Sequence, residues 1–267
     1  MCMANKKYTH LFFDLDNTIW DFNSNSYDAL KVALNKLELL EFVGIYDIFF
    51  KIYCEVNERL WDLYRQGSMK KKVLCVQRFE ESFERNGTPL IISGAIVNDF
   101  YLAEMPMQTK LIDGARELLD YLHGRYDVAI ITNGFKEVQY DKIHRSELSK
   151  YFRKIFISEE IGAQKPGRQI FEYAVKSMNA PKKSSLMIGD SWEADIIGAK
   201  NYGIDQLYFS PNLELPDSEV HFQGSVSKRN EFIKVPPYFI DKNPLKINLS
   251  RTSTTIITHL EQIFKIL

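Results

Sequence analysis

The sequence is short of the features that would commit it early to a class. It holds three cysteines, Cys2, Cys54 and Cys75, odd in number, far apart and without a C-x-x-C pair. A disulfide framework or a structural zinc site is therefore not expected, and a reduced, cytoplasmic setting is. Met1 to Lys7 lacks the apolar stretch of a signal peptide, and no apolar run approaches the ~18 residues of a membrane span, so no membrane partner is expected. An excess of one charge is missing too. Lys+Arg number 34 against 35 Asp+Glu, a net charge of −1, which gives no global attraction for a nucleic-acid polymer. Repeats and low-complexity tracts are absent. With 45% hydrophobic and 26% charged residues, the composition excludes wholesale disorder or a rod.

What is present is a globular chain of 267 residues, more than one minimal α/β core needs and less than two catalytic domains would use. Thr9–Leu15 (THLFFDL) is a short apolar run without alternation, the mark of a strand covered on both faces. Asp127–Thr132, Lys154–Ser158, Ser185–Gly189 and Asp205–Phe209 read the same way. Helical patterns over Ala115–His123, Lys136–Leu148, Arg168–Met178 and Ala194–Tyr202 separate them. Strand–helix alternation predicts right-handed βαβ units and a doubly wound parallel sheet.

The stretch after the first strand differs. Four helical patterns, Ser26–Glu41, Tyr46–Arg65, Met69–Arg85 and Ile91–Glu104, follow one another with breakers at Gly44, Gly67–Ser68 and Gly87–Thr88–Pro89. They predict a helical bundle inserted between the first strand and the rest of the sheet. A last amphipathic helix is predicted from about Thr254 to Ile266.

Four features carry chemistry. Asp14 and Asp16 end the first strand and, with a period of two, project to one side. Paired carboxylates at the C-terminal edge of a parallel sheet need a cation, a shared proton or a use for their repulsion. A plain turn is the competing reading, and an EF-hand is excluded by Ile19 and Asn25 where Gly and Glu are needed. Thr132-Asn133-Gly134 offers a hydroxyl and backbone N–H groups as an anion cradle, or an ordinary Asn-Gly turn. Lys165-Pro166 holds a lysine in extended geometry before a helix, or is a solvated surface lysine. Gly189-Asp190-Ser191-Trp192-Glu193-Ala194-Asp195 supplies further carboxylates, or caps a helix. All four lie at strand tips on one sheet edge. Oxygen ligands without Cys or His suit Mg²⁺, and a Thr and a Lys beside them suit phosphate oxygens.

These four blocks resemble the motifs of the haloacid dehalogenase (HAD) superfamily of phosphohydrolases. FDLDNT matches D-x-D-x-T, ITNG the second motif, QKP the third and GDSWEAD the fourth, in order from about Thr9 to Phe209. The inserted helices resemble its C1-type cap. The resemblance implies an α/β, HAD-like Rossmannoid fold, with a catalytic core at 1–19 and 106–267 and a helical cap at 20–105. It implies Asp14 as the nucleophile that forms an aspartyl-phosphate, and Asp16 as the acid and then base. Asp14, Asp16 (through its carbonyl), Asp190 and Asp195 would hold Mg²⁺, and Thr132, Asn133 and Lys165 the phosphoryl oxygens.

Within the family, FDLDNT with GDSWEAD looks most like the 5′-nucleotidases of pyrimidine or non-canonical nucleoside monophosphates. A sugar or sugar-acid phosphatase of the N-acylneuraminate-9-phosphatase type and a phosphomutase are the alternatives. A phospho-accepting receiver domain is the non-enzyme one. Asp16 argues against a dehalogenase, which protonates no leaving group. The expected partner is a small phosphomonoester, bound by a monomer or homodimer. Trp20 at the entrance and Arg78 in the cap are candidate substrate contacts, although the basic stretch around Arg78 reads more simply as a solvated helix face. The segment at about 211–250 departs from the family pattern and has no assigned role.

Overall fold

A computed structural model describes residues 7–89, 91–212, 214–215, 233–234, 245–249 and 252–267. The expected strands form where the apolar runs lie: β1 (His10–Phe13), β2 (Asp127–Thr132), β3 (Lys154–Ile157), β4 (Ser185–Gly189) and β5 (Asp205–Phe209). They are parallel, in the order β3-β2-β1-β4-β5. Their central residues, among them Phe12, Ile130, Met187 and Leu207, are wholly buried, which is why these strands carry no polar alternation. The helices that follow these strands or precede them in the chain are α5 (Ala115–Leu122), α6 (Lys136–Arg145), the short α7 (Ser158–Ile161), α8 (Arg168–Ser177) and α9 (Gly198–Tyr202). Ile170, Phe171 and Ala174 of α8 join Phe12, Ile131 and Met187 in one apolar cluster.

Two local expectations are corrected. The helix predicted over 254–266 is a strand, β9 (Thr252–Ile257), followed by a 3₁₀ segment at Leu260–Lys265. β9 pairs in parallel with β5, Thr254 facing Gln206, and β8 (Leu245–Leu249) adds an antiparallel edge. The Thr254 hydroxyl donates to the Gln206 side-chain oxygen at 2.7 Å, both groups buried. The run of Thr and Ile, stiff at χ1, favours the pleated form over a helix. The helix expected at 194–202 begins instead as a π-helical turn, Trp192–Ile197, before α9. Most of the unassigned segment at 211–250 lies outside the described residues. Within it β6 (Glu214–Leu215) and β7 (Ile233–Lys234) pair antiparallel.

The molecule divides into two compact units. One holds the sheet: the described residues of Met1–Asp21, Leu111–Lys136 and Leu148–Leu267. The other is helical, Phe22–Lys110 together with Glu137–Glu147, so most of α6 clusters with the inserted helices. Lys71 pairs with Glu137 at 2.8 Å and Lys142 lies 5.4 Å over the Phe22 ring, which ties α6 there. The helical unit is built from α1 (Phe22–Lys36), α2 (Tyr46–Arg65), α3 (Lys71–Arg85) and α4 (Gly94–Glu104). Gly67 and Gly87, at φ 74° and 71°, end α2 and α3 in the left-handed turn that returns their last amide N–H groups onto the helix. Phe49 against Phe83 (4.9 Å between centroids) and Tyr53, Phe79 and Tyr101 around one another (5.5–5.9 Å) fill its interior. No helix among the described residues is long and apolar enough to cross a membrane.

Candidate active site

The site forms at the C-terminal tips of β1, β2 and β4 and in the loop before α8. The main chain of β1 continues its pairing one residue further, with the Asp14 N–H donating to the Ile188 carbonyl at 2.8 Å. Asp14 is thereby delivered at the strand tip and is 8% exposed. The chain then turns tightly. Asn17 is left-handed at φ 58°, and Thr18, Ile19 and Trp20 all direct their N–H groups at the Leu15 carbonyl. Asn is among the residues that tolerate this conformation best. Asp16 is partly exposed and bridges by its main chain to Trp20.

Three carboxylates converge. Asp14, Asp190 and Asp195 each offer an oxygen, and these lie within 4.8 Å of one another. Lys165 sits between two of them, its Nζ donating to Asp14 Oδ1 and to Asp195 Oδ1, both at 2.6 Å. Lys165 is 2% exposed, and Asp195 is fully buried. Its surroundings explain how Asp195 arrives there. Ser191 accepts from the Ala194 N–H through its hydroxyl (3.2 Å), and its own N–H donates to Asp195 Oδ2 (3.1 Å). The wide π-turn, with the Ile196 N–H reaching back to the Ser191 carbonyl, rotates Asp195 inward. Gly189 makes room: a Cβ there would lie 2.2 Å from Asp195 Oδ2.

These charges strain one another. Burial pushes the Asp14 carboxyl up to about 7 against the pull of the Lys165 ammonium, and Asp195 and Asp16 add to the rise. Burial likewise holds Asp190 well above the ordinary carboxylate range, with Asp14 and Asp195 adding to it and the Thr18 hydrogen bond opposing. For Lys165, burial works against the charge, but Asp14 and Asp195 outweigh it and keep the ammonium protonated. Three carboxyl groups thus face one ammonium. The donor set fits a hard divalent ion: convergent carboxylate oxygens with no sulfur or imidazole among them.

Of the residues singled out from sequence, Asp14, Asp190, Asp195 and Lys165 are brought into direct contact or near it. Thr132, 1% exposed, ends β2 and accepts from the Gly134 N–H at 3.1 Å. Asn133 reaches Lys165 from the same loop. Two further candidates are buried. Trp20 is fully buried, and Arg78 is 2% exposed inside the helical unit, so the solvated face expected around Arg78 is corrected at that residue. Its neighbours Lys70 and Lys72 do face solvent.

Sequence reasoning passed over Thr18, whose buried hydroxyl donates to Asp190 Oδ1 at 3.0 Å across 172 positions. It also passed over the Asn133 side chain and Gly189. A hydroxyl following the two carboxylates was the available signal for Thr18.

Comparison with known proteins places this arrangement. A family model for haloacid dehalogenase-like hydrolases matches residues 8–203. The chain is 34% identical over 207 residues to the pyrimidine 5′-nucleotidase PynA of Streptococcus pneumoniae, covering 77% of this chain and 85% of that one. It is also 34% identical over 199 residues to the pyrimidine 5′-nucleotidase YjjG of Escherichia coli, covering 74% and 84%. Among solved structures it is similar to the HAD-hydrolase YfnB of Bacillus subtilis bound to magnesium, with a TM-score of 0.77, 26% identity and 98% and 99% of the two chains covered. The alternation of buried strands and helices, the inserted helical unit and the acidic edge have a common origin: the chain belongs to the haloacid dehalogenase-like hydrolase family.

Proposed function

We propose that this hydrolase is a Mg²⁺-dependent phosphatase of small phosphomonoesters, acting on nucleoside 5′-monophosphates with a pyrimidine base. The observation that carries the reading is the meeting of Asp14, Asp190 and Asp195 within 4.8 Å around the Lys165 ammonium. The nucleotide preference is supported by the likeness to PynA and YjjG, both named pyrimidine 5′-nucleotidases.

In this reading the Asp14 carboxylate attacks phosphorus, and the bond to the leaving oxygen breaks. Asp16 gives its proton to that alkoxide. Asp16, now a carboxylate, then takes a proton from the water that hydrolyses the aspartyl-phosphate, restoring both side chains. Lys165, the Thr132 hydroxyl and the Asn133 N–H group face the phosphoryl oxygens and offset the charge that shifts onto them. Asp14, Asp190, Asp195 and the Asp16 carbonyl would hold Mg²⁺, with Thr18 orienting Asp190. Bound there, the ion supplies the positive charge that favours Asp14 as a carboxylate and neutralises the phosphoryl group. Trp20 and Arg78, closed away from solvent, serve the packing of their units in this scheme.

A panel of phosphomonoesters tests it, with pyrimidine and purine nucleoside monophosphates beside sugar and sugar-acid phosphates. Turnover should require Mg²⁺, favour the pyrimidine nucleotides and vanish in Asp14→Asn. Full activity in excess EDTA, or robust activity in Asp14→Asn, would sink the mechanism. A preference for sugar phosphates would overturn the substrate alone.

A further inference from the structure

The reach of Lys165 into the site depends on where its backbone is held. Both polar groups of its main chain are taken by a single side chain. The Lys165 N–H donates to Asn133 Oδ1, and Asn133 Nδ2 donates to the Lys165 carbonyl, each at 2.9 Å. Asn133 sits 32 positions earlier, one residue past the end of β2. A planar carboxamide bound at two points fixes both the position and the orientation of the residue it grips. From that root the Lys165 side chain runs inward, and its ammonium ends 2.6 Å from Asp14 Oδ1. The loop is also closely packed at Pro166: a Cβ on Gly198 would lie 3.0 Å from Pro166 Cα and 2.7 Å from the Phe171 ring. That packing confines Pro166, but Gly198 is not among the hydrogen-bond partners of Lys165. A carboxamide carries a donor and an acceptor side by side, as the Lys165 N–H and carbonyl require. Aspartate would keep the acceptor and set a second oxygen against the Lys165 carbonyl.

We propose that the Asn133 side chain is a positioning residue, which acts on the reaction by holding Lys165 in register with Asp14. It does so without touching the phosphoryl group through its own amide. This rests on the phosphatase reading above and adds a second role for Asn133 beside its main-chain N–H. Lys165 matters most where charge moves during phosphoryl transfer, so loss of the clamp acts on kcat more than on KM.

Asn133→Ala removes both bonds, and Asn133→Asp keeps size and the acceptor while losing the donor. If the alanine variant fails to fold, the aspartate variant carries the test. With p-nitrophenyl phosphate and Mg²⁺, kcat should fall ~10- to 100-fold, the cost of a misplaced group, with a smaller change in KM. A crystal structure of Asn133→Asp should show Thr132 and Asp14 in place and the Lys165 ammonium withdrawn from Asp14. Unchanged kcat in both variants would overturn the proposal. So would a reduced kcat with Lys165 undisplaced, because Asn133 would then act directly. A wild-type protein inactive on every phosphomonoester of the panel would instead overturn the phosphatase reading, and the crystallographic comparison would still decide the clamp.

Discussion

Lys165 in the sheet unit and Arg78 in the helical unit, which also buries Lys142, are cations compensated by opposite means. In the sheet unit, Lys165 is held by two carboxyl groups, Asp14 and Asp195. In the helical unit, Arg78 on α3 has no carboxylate within salt-bridge distance among the described residues. Its guanidinium donates to Asn98 Oδ1 on α4 at 2.6 Å and, at a long 3.4 Å, to Asn57 Oδ1 on α2. The rings of Phe79 and Tyr101 lie 4.9 and 5.0 Å away, and its Nε is buried without a hydrogen-bond partner.

The contrast follows from what each place does. Arginine is weakly hydrated and stacks on aromatic faces, so amide dipoles and rings can house it. Such partners leave no net charge to be exchanged, and Arg78 ties three helices together as a fixed brace. Carboxylates around an ammonium form a set whose balance changes when another cation or an anion enters. The sheet unit is therefore built to bind and the brace is built to stay. That division predicts unequal responses when each cation is removed.

The largest response belongs to Lys165→Met. Removing one donor aimed at developing charge typically costs about 10²–10³ in kcat. Asp14 and Asp195 would also be left facing each other, and breaking a buried pair in this way costs about 3–5 kcal/mol of stability. Urea unfolding of the metal-free variant at pH 8 measures the second effect. Wild-type stability there would break the comparison, because Lys165 would then not be what compensates Asp14.

The next effect is a pH trend. Burial pushes Asp14 up to about 7 in the folded protein from ~3.9 when unfolded, so the folded state favours the protonated form. The stability this group contributes is complete below about pH 4 and is lost as pH rises through 7. The shift of Asp190 has the same sign. In EDTA, the stability of Asp14→Asn relative to wild type should therefore rise between pH 4 and 7, by a few kcal/mol at about pH 8. Mg²⁺ should remove most of that difference. A pH-independent difference would mean that Lys165 alone balances the cluster.

Thr18→Val should come third. It deletes the hydroxyl that orients Asp190 while keeping shape, and such partners of metal ligands typically carry about 10- to 100-fold in affinity or activity. The Mg²⁺ concentration at half-maximal activity reads it. An unchanged value would place Asp190 outside the metal set.

How much of this was legible in the sequence also differs between the regions. β2, β4 and β5 were readable to the residue because strands buried on both faces have no choice but continuous apolar runs. The amphipathic stripe and the glycine stop marked α2 equally well, from Tyr46 to Arg65. Asp14, Asp190 and Lys165 could be placed at one edge because parallel topology puts strand tips together. β9 departs from the predicted amphipathic helix because the β-branched run Thr254–Ile257 favours the pleated form. Contacts across long separations stayed hidden: Thr18 to Asp190, Asn133 to Lys165, and the three-helix brace of Arg78. Residue type announces a donor or a charge, but the partner is chosen by packing that local pattern does not encode.

Arg78→Met carries the smallest expected effect and the sharpest contrast with Lys165→Met. Methionine retains much of the buried length and can pack on Phe79 and Tyr101. The substitution loses the hydrogen bond to Asn98 and the cation–ring attraction, together worth about 1–3 kcal/mol. Against that, it removes a charge that lies buried with one N–H unsatisfied, which returns part of the loss. The net destabilisation should therefore be about 1–2 kcal/mol, with little dependence on pH or Mg²⁺, since no carboxylate is released. The same urea titration, run beside Lys165→Met in EDTA and in Mg²⁺, measures it. Activity separates the brace from a substrate contact: kcat/KM across the nucleotide panel should follow the folded fraction alone. A selective loss for one class of base, in a variant that is still folded, would show that the Arg78 charge reads substrate and is as exchangeable as that of Lys165.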